Sequence, residues 1–377
     1  MALKVGIVGM HGIGVPHAEA HTADPLSELV AICDVVKPRA DDAAEKYGAK
    51  AYYSLDDMLE GERDLNIVDV CTGGLENGSW HCEPAIQAIE AGKHVLVEKP
   101  LSSDIDEATQ MVAKAAEKNV YLGCNLNHYF TAPAQRARQY IDEGDVGELI
   151  YCLTKMGFQG GETEGYQAPG SAKVKDFPYF HLKAFLSHPF SVMRYLCGDV
   201  THVQAFLNRP GFRKGAGDVL LSTASIHVKF ANDAVGYLLS QRGDASYGLG
   251  GWWSVEVAGT RGTFCIENCV EKLTYWKAHD KRGPGLPSSY EPGAPEAPEV
   301  TEAGTTDFGQ TFPNRIHAFL EDVSNGVPKH ELRASGRDAL AALEYTYAVI
   351  ESYEQGGTLV RVHPLPPAVV NPDELTE

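Results

Sequence analysis

The sequence predicts an α/β protein, with a wound parallel sheet in the first part of the chain and a second, larger unit after it. Three observations carry this reading. Short β-branched runs alternate with helix-length stretches from Lys4 to about Cys124; a glycine-rich turn separates the first strand from the first helix; and 377 residues exceed what one hydrophobic core usually serves. Such alternation implies right-handed crossovers and parallel strands, and ligands of these sheets bind outside the carboxyl ends of the strands.

Lys4-Val5-Gly6-Ile7-Val8 is a short buried strand, followed by Gly9-Met10-His11-Gly12-Ile13-Gly14. Set against the dinucleotide-binding pattern G-x-G-x-x-G, Gly9 and Gly14 fill the first and third glycine positions and His11 stands at the second. That second glycine normally lets the backbone approach a pyrophosphate, so either Gly12 takes over the close approach or the loop swings wider. The second strand, Leu29 to Cys33, ends in Asp34, 25 residues after Gly9. A carboxylate there accepts hydrogen bonds from adenosine ribose hydroxyls and repels a 2′-phosphate, which favours NAD over NADP. Lys37 and Arg39 follow closely and soften that preference. Ser54-Leu55-Asp56-Asp57 reads as a capped helix start. Asn66 to Cys71 is a strand, Trp80 to Ala91 has helical spacing, a helix opens near Ser103 and runs to about Lys118, and Val120 to Cys124 is a strand. Residues 1–125 are therefore expected to form a Rossmann-type nucleotide-binding domain.

Within it, Gly92-Lys93-His94-Val95-Leu96-Val97-Glu98-Lys99-Pro100 is a turn glycine, a buried strand, and then an acid, an amine and a proline at the strand's carboxyl end. Proline fixes the backbone there, so Glu98 and Lys99 sit at a defined exit, and Lys99 is the first candidate for chemistry.

The order of these features, with Cys71-Thr72, His81 and Ala91-Gly92-Lys93-His94-Val95-Leu96-Val97-Glu98-Lys99-Pro100-Leu101, resembles the glucose-fructose oxidoreductase/inositol dehydrogenase (Gfo/Idh/MocA) family. The A-G-K-H-V-x-x-E-K-P-L signature is the specific part. The resemblance continues through Arg138 to Leu149, Val255 to Gly262 and Ser335 to Ser352. It implies a second domain over 126–377 that binds substrate and builds oligomers, an α+β unit with a large, mainly antiparallel open sheet. It also implies bound NAD, a small sugar, cyclitol or glycoside as substrate, and a homo-oligomer, dimer or tetramer, paired through that sheet. By resemblance Glu98 contacts the nicotinamide ribose, Thr72 borders the nicotinamide, Asn127 lies near the substrate end of the cofactor, and Lys99 hydrogen-bonds the reacting hydroxyl. Gly9, His11, Gly12, Ile13, Gly14, Asp34 and His81, with Lys99 counted here as well, complete the expected cofactor set. One departure falls between Thr72 and His81, where the family's T-P-x-x-x-H is replaced by a longer loop without the proline.

After a strand-like stretch from Leu149 to Gly157 and a glycine-rich loop from Gly160 to Ser171, Phe177 to Gly198 carries the second candidate cluster. The family shows D-x-x-x-H-x-x-D here; His188 matches the histidine, while Ala184 and Ser191 stand for the two acids. His188 is expected to act as general acid or base with Lys99. His181, two helical turns earlier, and Lys183 are candidates for the missing polar partner. His17 and His21 have a spacing that a metal can use, but they lie on the first Rossmann helix, where packing or capping is the expected role and no metal is expected. Trp252 and Trp253 are expected to pack, and Arg282 to Thr306, rich in Pro, Gly and Glu, reads as a surface excursion.

With 32 basic against 51 acidic residues, the net charge of −19 argues against a nucleic-acid or anionic-membrane partner. No apolar run is long enough to span a bilayer, the amino terminus enters a strand instead of a signal peptide, and the eight cysteines include no C-x-x-C pair. A cytoplasmic protein with reduced core cysteines is expected. Three functions stay open at this point. The leading one is an NAD-dependent oxidoreductase acting on a secondary alcohol, with Lys99 and His188 handling the proton. The second is an enzyme with tightly held NAD that oxidises a sugar transiently for redox-neutral elimination or hydrolysis of a glycoside. The third is a non-catalytic nucleotide-binding regulator, which the presence of Glu98, Lys99 and His188 disfavours.

Overall fold

The structure, a computed structural model, describes residues 2–73, 80–158, 179–208, 223–242, 253–278, 297–302 and 308–365. The loop between Thr72 and His81, the Gly160 to Ser171 loop and Trp252 therefore fall wholly or largely outside the described residues.

Six parallel strands, β1 (Leu3–Val8), β2 (Ser27–Cys33), β3 (Lys50–Tyr52), β4 (Ile67–Val70), β5 (His94–Val97) and β6 (Leu122–Cys124), form the first sheet in the order β3-β2-β1-β4-β5-β6. The order reverses between β1 and β4, and that reversal opens a crevice at the carboxyl ends. Connecting helices are α1 (Gly14–Ala23), α2 (Lys37–Tyr47), α3 (Leu55–Gly61), α4 (Cys82–Glu90) and α5 (Ile105–Glu117). Local chemistry sets their ends: the Ser54 hydroxyl accepts the Asp57 N–H (3.1 Å) at the start of α3, and Gly48 closes α2 at φ 70°. The cap of α5 is Asp104, one residue past the expected Ser103, because its carboxylate accepts both the Asp106 and Glu107 N–H groups. The three-residue strand β3, too short for a periodic pattern, has no counterpart in the sequence reading.

The second sheet comprises β7 (Leu149–Phe158), β8 (Val200–Asn208), β9 (Thr223–Phe230), β10 (Val235–Arg242), β11 (Trp253–Gly259), β12 (Gly262–Glu267), β13 (Lys272–Lys277), β14 (Glu299–Glu302) and β15 (Val360–Arg361), in the order β14-β13-β12-β11-β7-β10-β9-β8-β15. All of its pairings are antiparallel except β7 with β10. Its strands alternate buried and exposed side chains, as a sheet covered on one face must. The covering helices are α6 (Ala132–Asp142), α7 (Phe180–Phe185), α8 (Ser187–Cys197) and α10 (Gly336–Glu354), the last opened by a Ser335–Asp338 capping box. Edge strand β14 lies inside the stretch expected as a pure surface excursion: Glu299–Glu302 pairs with β13, and only the flanks remain outside the described residues.

One helix crosses back. α9 (Thr311–Asn325) packs on α1 and on the first sheet, where Ile316, Phe319 and Leu320 join Val5, Ile7, Ile32, Ile67 and Leu96 in one buried cluster. At about 1.5–3 kcal/mol for each large apolar side chain taken out of water, this contact binds the two parts of the chain together.

Candidate active site

The glycine-rich loop is tight because sterics leave no choice. Gly9 has φ +95°, and a Cβ there would stand 2.8 Å from the Cys71 carbonyl; a Cβ on Gly14 would stand 2.1 Å from the Gly9 oxygen. Gly12, not His11, makes the left-handed turn (φ +62°) with open space beside it, and His11 stays exposed on the loop. Ile13 leads into α1 without any side-chain cap; within the first turn Val15 donates to the Gly12 carbonyl (3.3 Å) and Pro16 has no N–H. Asp34 is bound to the same loop: it accepts the Met10 N–H (2.9 Å) and the Val36 N–H (2.8 Å), and pairs with Arg39 at 3.1 Å.

At the ends of β4, β5 and β6 lies a buried ionic chain. His17 of α1 directs Nδ1 at Asp69 (2.8 Å) and Nε2 at Glu98 (2.9 Å), and His21 donates Nε2–H to Asp69 (2.9 Å). Glu98 also accepts the Asn125 amide and the Lys99 backbone N–H (3.0 Å). Burial opposes protonation of His17, but the Asp69 carboxylate outweighs it and holds the imidazole well above its ordinary value. Burial likewise opposes ionisation of Asp69 and Glu98; hydrogen bonds and charge from His17 bring both carboxyls below their usual range, Glu98 with help from Lys99 and Asn125. The expected packing role of His17 and His21 is thus a hydrogen-bonded one, facing an acid in the middle of a strand.

The turn carrying Lys99 is pinned from two sides. His81 donates Nδ1–H to the Pro100 carbonyl (2.8 Å), and burial keeps its imidazole below the usual value, hence neutral. The Thr72 hydroxyl donates to the Trp80 carbonyl (2.7 Å). Beyond β6, Asn127 gives its amide N–H to Thr311 of α9 (2.7 Å), while its Oδ1, like that of Asn125, is buried with no hydrogen-bond partner among the described residues. Fully buried Arg315, between the Phe130 and Phe319 rings, donates to the Cys124 and Ala334 carbonyls (3.0 and 3.1 Å) and so fastens the segment bearing both asparagines.

The opposite wall comes from the second half of the chain. His188, buried on α8, stacks on His128 with ring centroids 4.1 Å apart and planes 10° from parallel; Trp253 covers the other ring at 4.3 Å and Phe185 meets His188 edge-on. Burial and the nearby Lys99 cation hold His128 well below the usual imidazole range. Lys99 thus bears electrostatically on His128, and His128 in turn stacks on His188. The expectation for Lys183 fails: its ammonium donates to Tyr347 (3.0 Å) and lies over that ring, turned toward α10. Between His181 and His188 a single turn residue, Leu186, separates α7 from α8 while keeping helical backbone angles (φ −68°, ψ −12°); the His181 side chain lies outside the described residues.

Asp69, Asn125, His128, Trp253 and Arg315 were not singled out as site residues by the sequence. Asp69 left one signal, since an acid inside an apolar strand demands a buried partner. The cysteines are free, and burial pushes the Cys33 and Cys71 thiols up to about 12, so they are inert at neutral pH.

Comparison with known proteins agrees with this fold. Residues 3–126 match the model of the oxidoreductase family with NAD-binding Rossmann fold, and residues 134–265 match the GFO/IDH/MocA C-terminal domain. The chain is 26% identical to levoglucosan dehydrogenase of Pseudarthrobacter phenanthrenivorans over 69% of its own length and 72% of that protein. It is 25% identical to myo-inositol 2-dehydrogenase of Thermotoga maritima over 94% and 97% of the two chains. Its fold superposes on a levoglucosan dehydrogenase in complex with NADH and levoglucosan with TM-score 0.77 at 24% identity, covering 96% of this chain and 100% of that one. An NAD-binding oxidoreductase from Klebsiella pneumoniae gives TM-score 0.78 at 19% identity, covering 97% and 100%. With a nucleotide-binding half and a sheet domain both matched, this chain belongs to the Gfo/Idh/MocA family of NAD-binding oxidoreductases.

Proposed function

We propose that this protein oxidises, or in reverse forms, a secondary alcohol carbon of a sugar, cyclitol or glycoside with NAD, using Lys99 and His188 for the proton. What supports the reading is the buried His128–His188 stack together with Lys99, whose charge helps to keep His128 unprotonated. The names of the relatives, levoglucosan and inositol dehydrogenases, support the substrate class.

The residues present fit the dinucleotide. Gly9 and Gly14 let the loop fold tightly where side chains would strike its own backbone, Gly12 leaves open space beside the turn, Asp34 is tied to that loop with a carboxylate suited to ribose hydroxyls, and the buried amide oxygen of Asn127 is available to a donor. Ile13, Gly12 and the exposed His11 flank the same loop; Thr72, His81 and Glu98 frame its far end. Bound there, the cofactor supplies a hydride acceptor. Lys99 holds the substrate hydroxyl and stabilises negative charge developing on its oxygen, and His188 takes the proton. The stacked imidazoles and Trp253 keep bulk water from the reacting carbon.

The test is to denature the purified protein and identify released nucleotide by mass spectrometry, then assay exchange and reduction of added NAD with polyols and sugars. An empty protein that reduces NAD supports an ordinary dehydrogenase. Near-stoichiometric bound NAD(H) without net turnover supports the redox-neutral alternative, and a protein binding no nucleotide overturns the assignments of Gly9, Asp34 and Glu98. Asp34→Ser should shift preference toward NADP by roughly 10–100-fold in kcat/KM ratio, because the repelling carboxylate goes and Arg39, freed from it, can meet a 2′-phosphate. An unchanged ratio would remove Asp34 from the ribose site.

The same reading extends to assembly. On the sheet face opposite the helices, Tyr237 pairs with Leu153 and His227, and Val235 with Tyr151, forming an apolar patch that includes Val235 (54% exposed) and Leu153 (44% exposed). Two copies packing sheet to sheet would cover it; a monomer mass by light scattering at micromolar concentration would rule this out.

A further inference from the structure

The chain Asp69–His17–Glu98 is buried from end to end, and two of its three members lie beneath the crevice with no surface exposed. We propose that His17, held as an imidazolium by Asp69, is the positioning residue that fixes the Glu98 carboxylate toward the cofactor. The inference rests on the reading that Glu98 faces the nicotinamide ribose.

The geometry favours the charge. A neutral imidazole has one N–H, so it can satisfy only one carboxylate and must turn a lone pair on the other; both nitrogens of His17 face carboxylate oxygens, at 2.8 and 2.9 Å, although the Asn125 amide, 3.1 Å from Nε2, is a donor that a lone pair there could accept. Of the donors to Glu98, the Asn125 amide and the Lys99 backbone N–H are neutral, and His17 is the ionic one on a rigid helix. Around His17 stand Asp69 of β4 and the Cys71 thiol just beyond it, Glu98 with Lys99 beyond β5, His21 on its own helix, the Asn125 amide and the ring of Phe312 from α9 at 5.8 Å. Asp69 is therefore the nearest charge besides Glu98, and it sits in a strand interior that otherwise takes apolar residues. Its effect on the cofactor site passes through His17.

The experiment measures NAD+ dissociation constants of the full-length protein from pH 6 to pH 9 by calorimetry, for the wild type and for Asp69→Asn, His17→Gln and Glu98→Gln. Asp69→Asn keeps the shape and an acceptor for His17 but removes one of the two charges that hold its proton. The wild type should bind with a nearly constant affinity. Asp69→Asn should match it at pH 6 and weaken by roughly tenfold toward pH 9 as His17 loses its proton, and His17→Gln should be weaker by a similar factor throughout. A merely structural role predicts a loss that does not vary with pH, and that result overturns the proposal. Should His17→Gln fail to fold, the isosteric Asp69→Asn carries the test alone. Glu98→Gln binding as tightly as the wild type would overturn the underlying cofactor reading instead, which keeps the two failures apart.

Discussion

Replacing Lys99 with alanine should lower kcat by roughly 10²–10⁴-fold while leaving NAD affinity close to that of the wild type. The split follows from the contacts. Glu98 is held by the His17 imidazole, the Asn125 amide and the backbone N–H of residue 99, none of which needs the lysine side chain. His81 still pins the Pro100 carbonyl, so the turn keeps its shape. What disappears is the ammonium that meets the substrate oxygen, and with it the charge that suppresses protonation of His128. Lys99→Arg should not rescue turnover, because a planar fork on a longer stem places its donors elsewhere. Single-turnover kinetics alongside calorimetric NAD titration separate the two effects; full turnover in the alanine variant would end the assignment of Lys99.

The part of this site that was legible from the chain is the part that sequence-local geometry dictates. Gly9 and Gly14 are required by clashes within one turn, Asp34 and Glu98 by their places at strand ends, and Ser54 by a cap three residues long. The alternation of strands and helices up to Cys124 made the first sheet legible as parallel, but not its order, because several wound orders share the same alternation. The open sheet of the second half came from family resemblance; many of its neighbours are consecutive strands, but β7 with β10 and β11, and β8 with β15, are joined across long separations that periodicity does not reveal. Contacts of that kind were also what the site reading missed. His128 meets His188 across 60 positions of sequence, and Arg315 reaches the Cys124 carbonyl across 191. Lys183 shows the converse error: nearness to His188 in sequence suggested partnership, but Tyr347 offered a hydroxyl and a ring face, and the side chain went there. Asp69 sits between these cases. Its placement in Ile67–Val70 was visible, but two histidines on α1 had to be brought over β4 before the acid had an explanation.

His188→Asn should lower kcat/KM by roughly 10²–10⁴-fold with NAD affinity unchanged, because asparagine keeps polar atoms in the same pocket but cannot accept a proton at neutral pH. His188 belongs to α8, whereas Asp34 is held by the Met10 and Val36 N–H groups and Glu98 by His17, Asn125 and the Lys99 backbone, so nucleotide binding is expected to stay unchanged. The stack should survive in part: Trp253 still covers His128, which burial and Lys99 keep neutral. A neutral ring lying 4.1 Å from His188 gives it an apolar, uncharged platform in place of the carboxylates that its relatives' pattern puts one turn away on each side. The decisive form of the experiment is the double variant. If Lys99 and His188 act on one oxygen, removing either disables the proton transfer, and Lys99→Ala/His188→Asn should be little slower than the worse of the two single variants. Losses that multiply instead would mean that the two residues work at separate steps, and equal losses in turnover and NAD binding for His188→Asn would reduce it to a packing residue of the crevice wall.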